Sequence, residues 1–231
     1  MKTRYWMAAL WLALAPAAHA EDVAQGVFVQ GEGRISVAPD MAKINLGVRE
    51  RAKTAQDAMD AMGQSITGVL DALKMQGIAA EDQQTSRFYL NPIYNEARLE
   101  DGRQITGYEA GNGITVTVRD LDTLGTVLDA VIATGANDFN GLSFGLQDDS
   151  AAMEQARKAA VADAMMRARV LAEAGGLNLG PVLQLSDGAA GAGPMHMGMA
   201  DARASMESAI APGEVDITAR VTMVFAISAV D

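Results

Sequence analysis

Ala42, Ile44, Leu46 and Val48 alternate with Lys43, Asn45, Gly47 and Arg49, the period-two pattern of a half-buried strand. Val215, Ile217, Ala219, Val221, Met223, Phe225 and Ile227 alternate more strictly still. Looser alternation predicts further strands over Val27–Val37, through Phe88, Leu90 and Ile93, and over Ile105–Val118, Phe139–Leu146 and Val182–Leu185. Asn91-Pro92 places the third of these at a sheet edge, because proline cannot donate to a ladder. Between the strands the period changes. Thr54 is placed to cap a helix whose apolar stripe is Ala55, Met59, Met62, Ile66, Val69, Leu70 and Leu73, with Gly77 at its end. Asp120 opens a shorter helix with Leu121, Leu124, Leu128, Val131 and Ile132 on one side, closed by Gly135. Asp149 or Ser150 caps a third, running to Ala174 and ended by Gly175-Gly176. That helix repeats alanine at 152, 156, 159, 160, 164, 168 and 172, and small residues let a helix lie close to a sheet.

The predicted order is β-β-α-β-β-α-β-α-β-β. Residues 41–148 read as β-α-β-β-α-β, a ferredoxin-like unit. Residues 26–40 and 149–231 supply a second layer that is discontinuous in sequence. The fold class expected is therefore α+β, two intimately joined α/β sandwiches. The helical stretches argue against an outer-membrane barrel, which needs many alternating strands joined by short turns. Residues 187–212 carry Gly, Ala and Met without a period, so a flexible loop is expected there. The last strand has no proline and only Asp216 and Arg220 as charges from Val215 to Ile227. Such an edge must be covered, by a strand of the same chain or by a neighbouring subunit.

The first twenty residues read as an address. Lys2 and Arg4 precede an apolar run, Tyr5–Ala15, then Pro16 and the small-residue exit Ala18-His19-Ala20. This is the pattern of a secretory signal peptide cleaved after Ala20. The run is about eleven residues, whereas a membrane span needs about 20. The expected location is the periplasm of a Gram-negative cell, with no transmembrane segment in the mature chain.

Composition then removes chemistries. The chain has 231 residues, with 18 Lys and Arg against 29 Asp and Glu, a net charge of −11. An acidic chain lacks the basic footprint that nucleic acid requires. There is no cysteine, hence no disulfide, thiolate nucleophile, zinc–cysteine site or lipid attachment. Gly31-Glu32-Gly33 resembles part of a phosphate loop but lacks the third glycine and the following helix, so a bulge or a close backbone approach is expected. Only His196 remains as a base after cleavage, which removes the Ser-His-Asp arrangement. Glu109, Asp138, Asp148 and Asp149 are the carboxylates to consider for acid–base work, each with surface solvation or helix capping as the plainer role. Phe88, Tyr89, Tyr94 and Tyr108 suggest aromatic cross-strand pairing, or a contact between subunits. Met195, His196, Met197 and Met199 form the one local anomaly: thioethers and imidazole are ligands for copper, although methionine is also plastic apolar filler.

Several short motifs occur in a shared order. They are Gly31-Glu32-Gly33 with Ala38-Pro39-Asp40, Thr54-Ala55, Gly77-Ile78 with Asp82-Gln83-Gln84-Thr85, and Leu90-Asn91-Pro92-Ile93-Tyr94 with Gly107-Tyr108-Glu109-Ala110. Gly135-Ala136-Asn137, Ala156-Arg157 and Gly213-Glu214-Val215 continue the series. Together they resemble the bacterial SIMPL-domain family, which includes periplasmic immunogenic and oxidative-stress defence proteins. The resemblance implies an exported α+β protein that self-assembles into a homo-oligomer and is associated with stress defence or host immune recognition. It supplies no catalytic residue and no cofactor, so a non-enzymatic protein is expected. The Met/His cluster departs from the family pattern and keeps a copper-binding or metal-sequestering role as the alternative.

Overall fold

The computed structural model describes residues 26–95, 104–188, 191–192 and 210–230. Two antiparallel sheets carry the chain, the first with two helices on one face and the second with one.

The first sheet is built from β2 (Met41–Ala52), β3 (Gln83–Tyr94), β4 (Ile105–Val118) and β5 (Asp138–Gly145), in the order β3-β4-β2-β5. Helices α1 (Ala55–Met75) and α2 (Leu124–Ala133) join the strands as β-α-β-β-α-β. The period-two pattern of β2 buries Ala42, Ile44, Leu46 and Val48, and β4 answers with Ala110, Ile114, Val116 and Val118. Against them α1 packs Ala58, Met62, Ile66, Val69 and Leu73, and α2 packs Leu124, Val127 and Val131. Each fully buried aliphatic side chain contributes roughly 1.5–3 kcal/mol. The stripe of α1 is turned slightly from the one predicted: Ala58 and Ala72 are buried, while Leu70 is exposed. The Thr54 hydroxyl accepts from the Asp57 N–H at 3.1 Å and donates to the Asp57 carboxylate at 2.7 Å, fixing the start of α1. At its end Gly77 takes φ +82°, and the Ile78 N–H reaches back to the Leu73 carbonyl at 3.0 Å.

The second sheet places β8 (Val215–Ala229) between β1 (Gly26–Val37) and β6 (Leu177–Asp187). The two-residue β7 (Gly191–Ala192) pairs with β8 at Thr218 and Ile217. The chain's own strands therefore cover both sides of β8, and no neighbouring subunit is needed for that. β6 is longer than predicted because it passes through Gly180-Pro181 at a register shift, which an edge strand tolerates. Of the stretch 187–212, expected to be a flexible loop, residues 189–190 and 193–209 lie outside the described residues; Gly188 donates to the Arg220 carbonyl at 2.8 Å and β7 pairs with β8.

Helix α3 (Ser150–Ala174) lies across β1 and β8. Ala152, Ala156, Ala160, Ala164, Ala168 and Ala172 are all buried, one turn apart. The helix approaches so closely that a Cβ on Gly31 would sit 2.0 Å from the Ala160 carbonyl oxygen, and one on Gly33 2.0 Å from that of Ala156. Gly31-Glu32-Gly33 is thus the close backbone approach, not a bulge or a phosphate loop. Between the glycines, the outward Glu32 N–H donates to Asp163 at 2.9 Å, so α3 also caps the edge of β1. That bond and, after it, Arg167 hold the Asp163 carboxyl below its ordinary range.

Ala38-Pro39-Asp40 joins the sheets. The Asp40 N–H donates to Gly145 at 3.1 Å, and Gln147 binds Asp40 through its backbone N–H at 2.7 Å and its side-chain amide at 3.0 Å. Phe144 packs against both cores.

Candidate functional site

Alternation that turns the even positions of β2 and β4 toward the helices turns the odd ones to the other face, which no helix of the first sheet covers. Cross-strand register aligns three rows there. Asp138, Gly47, Gly113 and Arg87 form one row across β5, β2, β4 and β3. Arg49, Gly111 and Tyr89 form the next, and Arg51, Glu109 and Asn91 the third. Gly47, Gly111 and Gly113 make a floor without side chains, over which the longer groups meet.

Asp138 accepts from Arg49 Nη2 at 2.9 Å and from Arg87 Nη2 at 2.7 Å. Glu109 accepts from Arg51 Nε at 2.7 Å and from the Tyr89 hydroxyl at 3.1 Å, with Arg49 Nε at 3.8 Å. The Arg87 guanidinium stands 5.4 Å from the Tyr89 ring centroid. The ring lies directly over Gly111, where a Cβ would come within 2.4 Å of it. Arg49, Arg87, Tyr89, Asn91 and Glu109 line a shallow depression of about 370 Å³. Arg49 is further positioned by Asn137, which accepts its backbone N–H at 2.8 Å and donates to its carbonyl at 3.1 Å.

The two signs are layered. The side chains of Arg49, Arg87 and Arg51 are 41%, 49% and 68% exposed, while those of Glu109 and Asp138 are 16% and 14% exposed. Guanidinium groups therefore face outward and carboxylates lie beneath them, on a chain that is acidic as a whole. Burial pushes the Glu109 carboxyl up, but the hydrogen bonds from Arg51 and Tyr89 and the charges of Arg51 and Arg49 outweigh it and hold it below the usual carboxylate range. Burial, then the bond to Glu109, raises the Tyr89 phenol. The hydrogen bond and charge of Asp138 raise the Arg49 guanidinium further. Glu109 has no proton to give at neutral pH and its carboxylate is already engaged by Arg51 and Tyr89, while the guanidinium groups above it suit holding an anion.

Of the four carboxylates singled out in the sequence, Glu109 and Asp138 meet in this network. Asp148 accepts from the Ser150 N–H at 2.9 Å and opens α3, while Asp149 occupies the cap position without a side-chain bond. In the strand register no two of the hairpin's aromatic residues stand directly opposite each other. Tyr89 faces Gly111 on the open face, whereas Phe88 faces Asn112 and Tyr108 faces Pro92 on the helix side, and Tyr94 pairs with Ile105. Met195, His196, Met197 and Met199 lie outside the described residues, among which no group of three or more His, Asp or Glu is placed to hold a metal ion. Among the described residues no helix is long and apolar enough to cross a membrane. Sequence reasoning missed Arg49, Arg51 and Arg87 as site residues. Their only signal is the parity they share with Glu109 once the strands are in register.

Comparison with known proteins adds a family. The SIMPL model, described as "Protein of unknown function (DUF541)", matches residues 27–225. This chain belongs to the SIMPL family. A relative in Brucella melitensis, the "26 kDa periplasmic immunogenic protein", is 37% identical over 211 residues, covering 87% of this chain and 84% of the relative. The "Uncharacterized protein YggE" of Edwardsiella ictaluri is 30% identical over 171 residues, covering 73% and 71%. The protein of the same description in Escherichia coli K12 is 30% identical over 169 residues, covering 72% and 68%. Neither the SIMPL description nor these relatives' names carry an enzymatic activity. The SIMPL match spans both sheets and includes every residue of the guanidinium shelf.

Proposed function

We propose that this SIMPL-family chain is an exported, periplasmic, non-enzymatic protein that works as a self-assembled homo-oligomer associated with stress defence. The observation that carries the assembly is the second sheet's outer strand. Helix α3 lies across β1 and β8, and Val182, Leu183 and Leu185 of β6 are left exposed. Among the described residues no strand pairs with the outer side of β6, and apolar side chains on such an edge are a surface that another subunit can bury. Closed symmetry satisfies such surfaces without fibre growth. The address at residues 1–20 and the relatives named as periplasmic support the location. Glu109, clamped as an ion by Arg51 and Tyr89, supports a holding role over acid–base chemistry.

Sedimentation of the mature protein at physiological salt tests the reading. A discrete species well above 24.2 kDa is expected for the wild type, and a lighter one for Leu183→Lys with Leu185→Glu. A wild-type monomer at micromolar concentration overturns it. Family resemblance supports the stress role, and a deletion strain that withstands peroxide as well as its parent overturns that part.

A second reading rests on Met195-His196-Met197-Gly198-Met199, whose soft thioethers and imidazole suit copper in an exported chain.

A further inference from the structure

Strand β3 ends the first sheet, and among the described residues no strand pairs with its outer side. Which of its backbone groups face outward follows from bonds elsewhere in the sheet. Gly47 accepts from the Asn137 N–H at 3.0 Å and the Arg49 N–H donates to the Asn137 side chain, so both turn toward β5. An antiparallel strand turns alternate residues to opposite sides. Val48 and its partner Asn112 therefore face each other, and Gly111 and Glu109 of β4 face Tyr89 and Asn91 of β3. Phe88, Leu90 and Pro92 are left pointing away from the sheet, which agrees with the missing N–H of proline. The free edge offers the N–H groups of Phe88 and Leu90 and the carbonyls of all three.

The side chains beside this edge are sorted by face. Phe88 and Leu90, 59% and 39% exposed, lie on the helix side. Arg87 and Tyr89 lie on the other, next to Arg49 and the outward layer of guanidinium groups. A strand added here would place its alternate residues against an apolar pair on one face and a cationic shelf on the other. We infer that β3 captures an extended peptide in which apolar and acidic residues alternate. Charge complementarity selects acidic over basic ligands, because the carboxylates that balance the arginines are covered and the guanidinium groups are not. Pro92 at one end and the register shift at Ser86 at the other confine the edge to a short window, which suits a peptide and blunts open-ended pairing. The proposal does not depend on self-assembly through β6, which lies in the other sheet.

The test is a fluorescence-anisotropy titration of the full mature chain with a labelled seven-residue Val/Glu alternating peptide. Saturable binding is expected, weakened by salt and at least tenfold weaker for the Val/Lys peptide. Arg87→Gln should weaken the Val/Glu peptide about tenfold and leave a Val/Thr peptide unchanged. Leu90→Pro should abolish binding of all three, and alternate N-methylation of the peptide should do the same without touching the protein. Absence of saturable binding, equal binding of the Val/Glu and Val/Lys peptides, or indifference to N-methylation on both registers overturns the inference. So does a peptide that dissociates the wild-type oligomer as it binds, since the edge would then belong to a second copy of this chain.

Discussion

Arg87 and Asp138 stand on the two outermost strands of the first sheet and meet at 2.7 Å. Two glycines, Gly47 and Gly113, occupy the row between them, so nothing rises from β2 or β4 to block the reach. One carboxylate thereby ties together Arg49 from a central strand and Arg87 from an edge. The pair organises a surface rather than a core, and its expected energetic weight is small.

Asp138→Asn and Arg87→Gln, singly and together, measure that weight. Because both guanidinium groups held by Asp138 are about half exposed, a double-mutant cycle in denaturant should give a coupling of roughly 0.5–1 kcal/mol. A coupling of several kcal/mol would mean that the network supports the fold.

The glycines of β1 and α1 make an opposed pair. Gly31→Ala would force a Cβ against the Ala160 carbonyl oxygen and the Ala164 N, both backbone, and should cost about 3 kcal/mol or more. Gly63→Ala in α1 meets nothing within 4 Å and should stabilise by roughly 0.5–1 kcal/mol through helix propensity. Chemical denaturation of both variants reads the contrast.

Acid should loosen the shelf. The folded pKa of Glu109 lies below its ordinary value of 4.5. Its contribution to stability is therefore complete above pH 4.5 and is lost as the pH falls through the depressed folded value. Glu109→Gln should flatten this limb of the stability–pH curve, and an unchanged slope below pH 4.5 would contradict the assignment. Tyr89 acts in the opposite sense: its pKa is raised above 10.0, so its contribution is lost as the pH climbs through that higher value. A spectrophotometric titration should show one phenol ionising late, and Tyr89→Phe should remove it.

Replacing Met195, His196, Met197 and Met199 together should abolish competition for Cu(I) with a weak chelator and leave far-UV circular dichroism unchanged. If the wild type itself does not compete, copper has no place in this protein's function.

The fold was largely legible because its signals are local. Alternation in β2 and β8, Thr54 and Gly77 around α1, and the alanine repeat of α3 each act within a few residues. Leu177–Asp187 was harder, since Gly180-Pro181 interrupts the pattern where an edge strand bulges. The shelf was legible only as isolated carboxylates. Glu109 and Asp138 become partners through Arg49 and Arg87, and those contacts depend on registers among four strands that no single segment encodes. The aromatic residues do not stand opposite one another for the same reason: Phe88 and Tyr89 are sequence neighbours, and a strand sends neighbours to opposite faces.

The central place of β8 makes the second sheet depend on the C-terminal segment. β1 pairs Gly26 with Ala226, so the first strand made waits for the last, and the second sheet closes only when the C-terminal segment is available. Residues 41–145 need no such wait, because every strand of their sheet is contiguous in the chain. Pairing across so long a loop is intrinsically slow. During synthesis the alanine face of α3 has no completed sheet to rest on, and the chain stays open at both ends until it is whole. Among the described residues the pairing of Gly26 with Ala226 spans the most sequence, so the second sheet is the part of the fold expected to close last, after the first sheet has formed from its own contiguous segment.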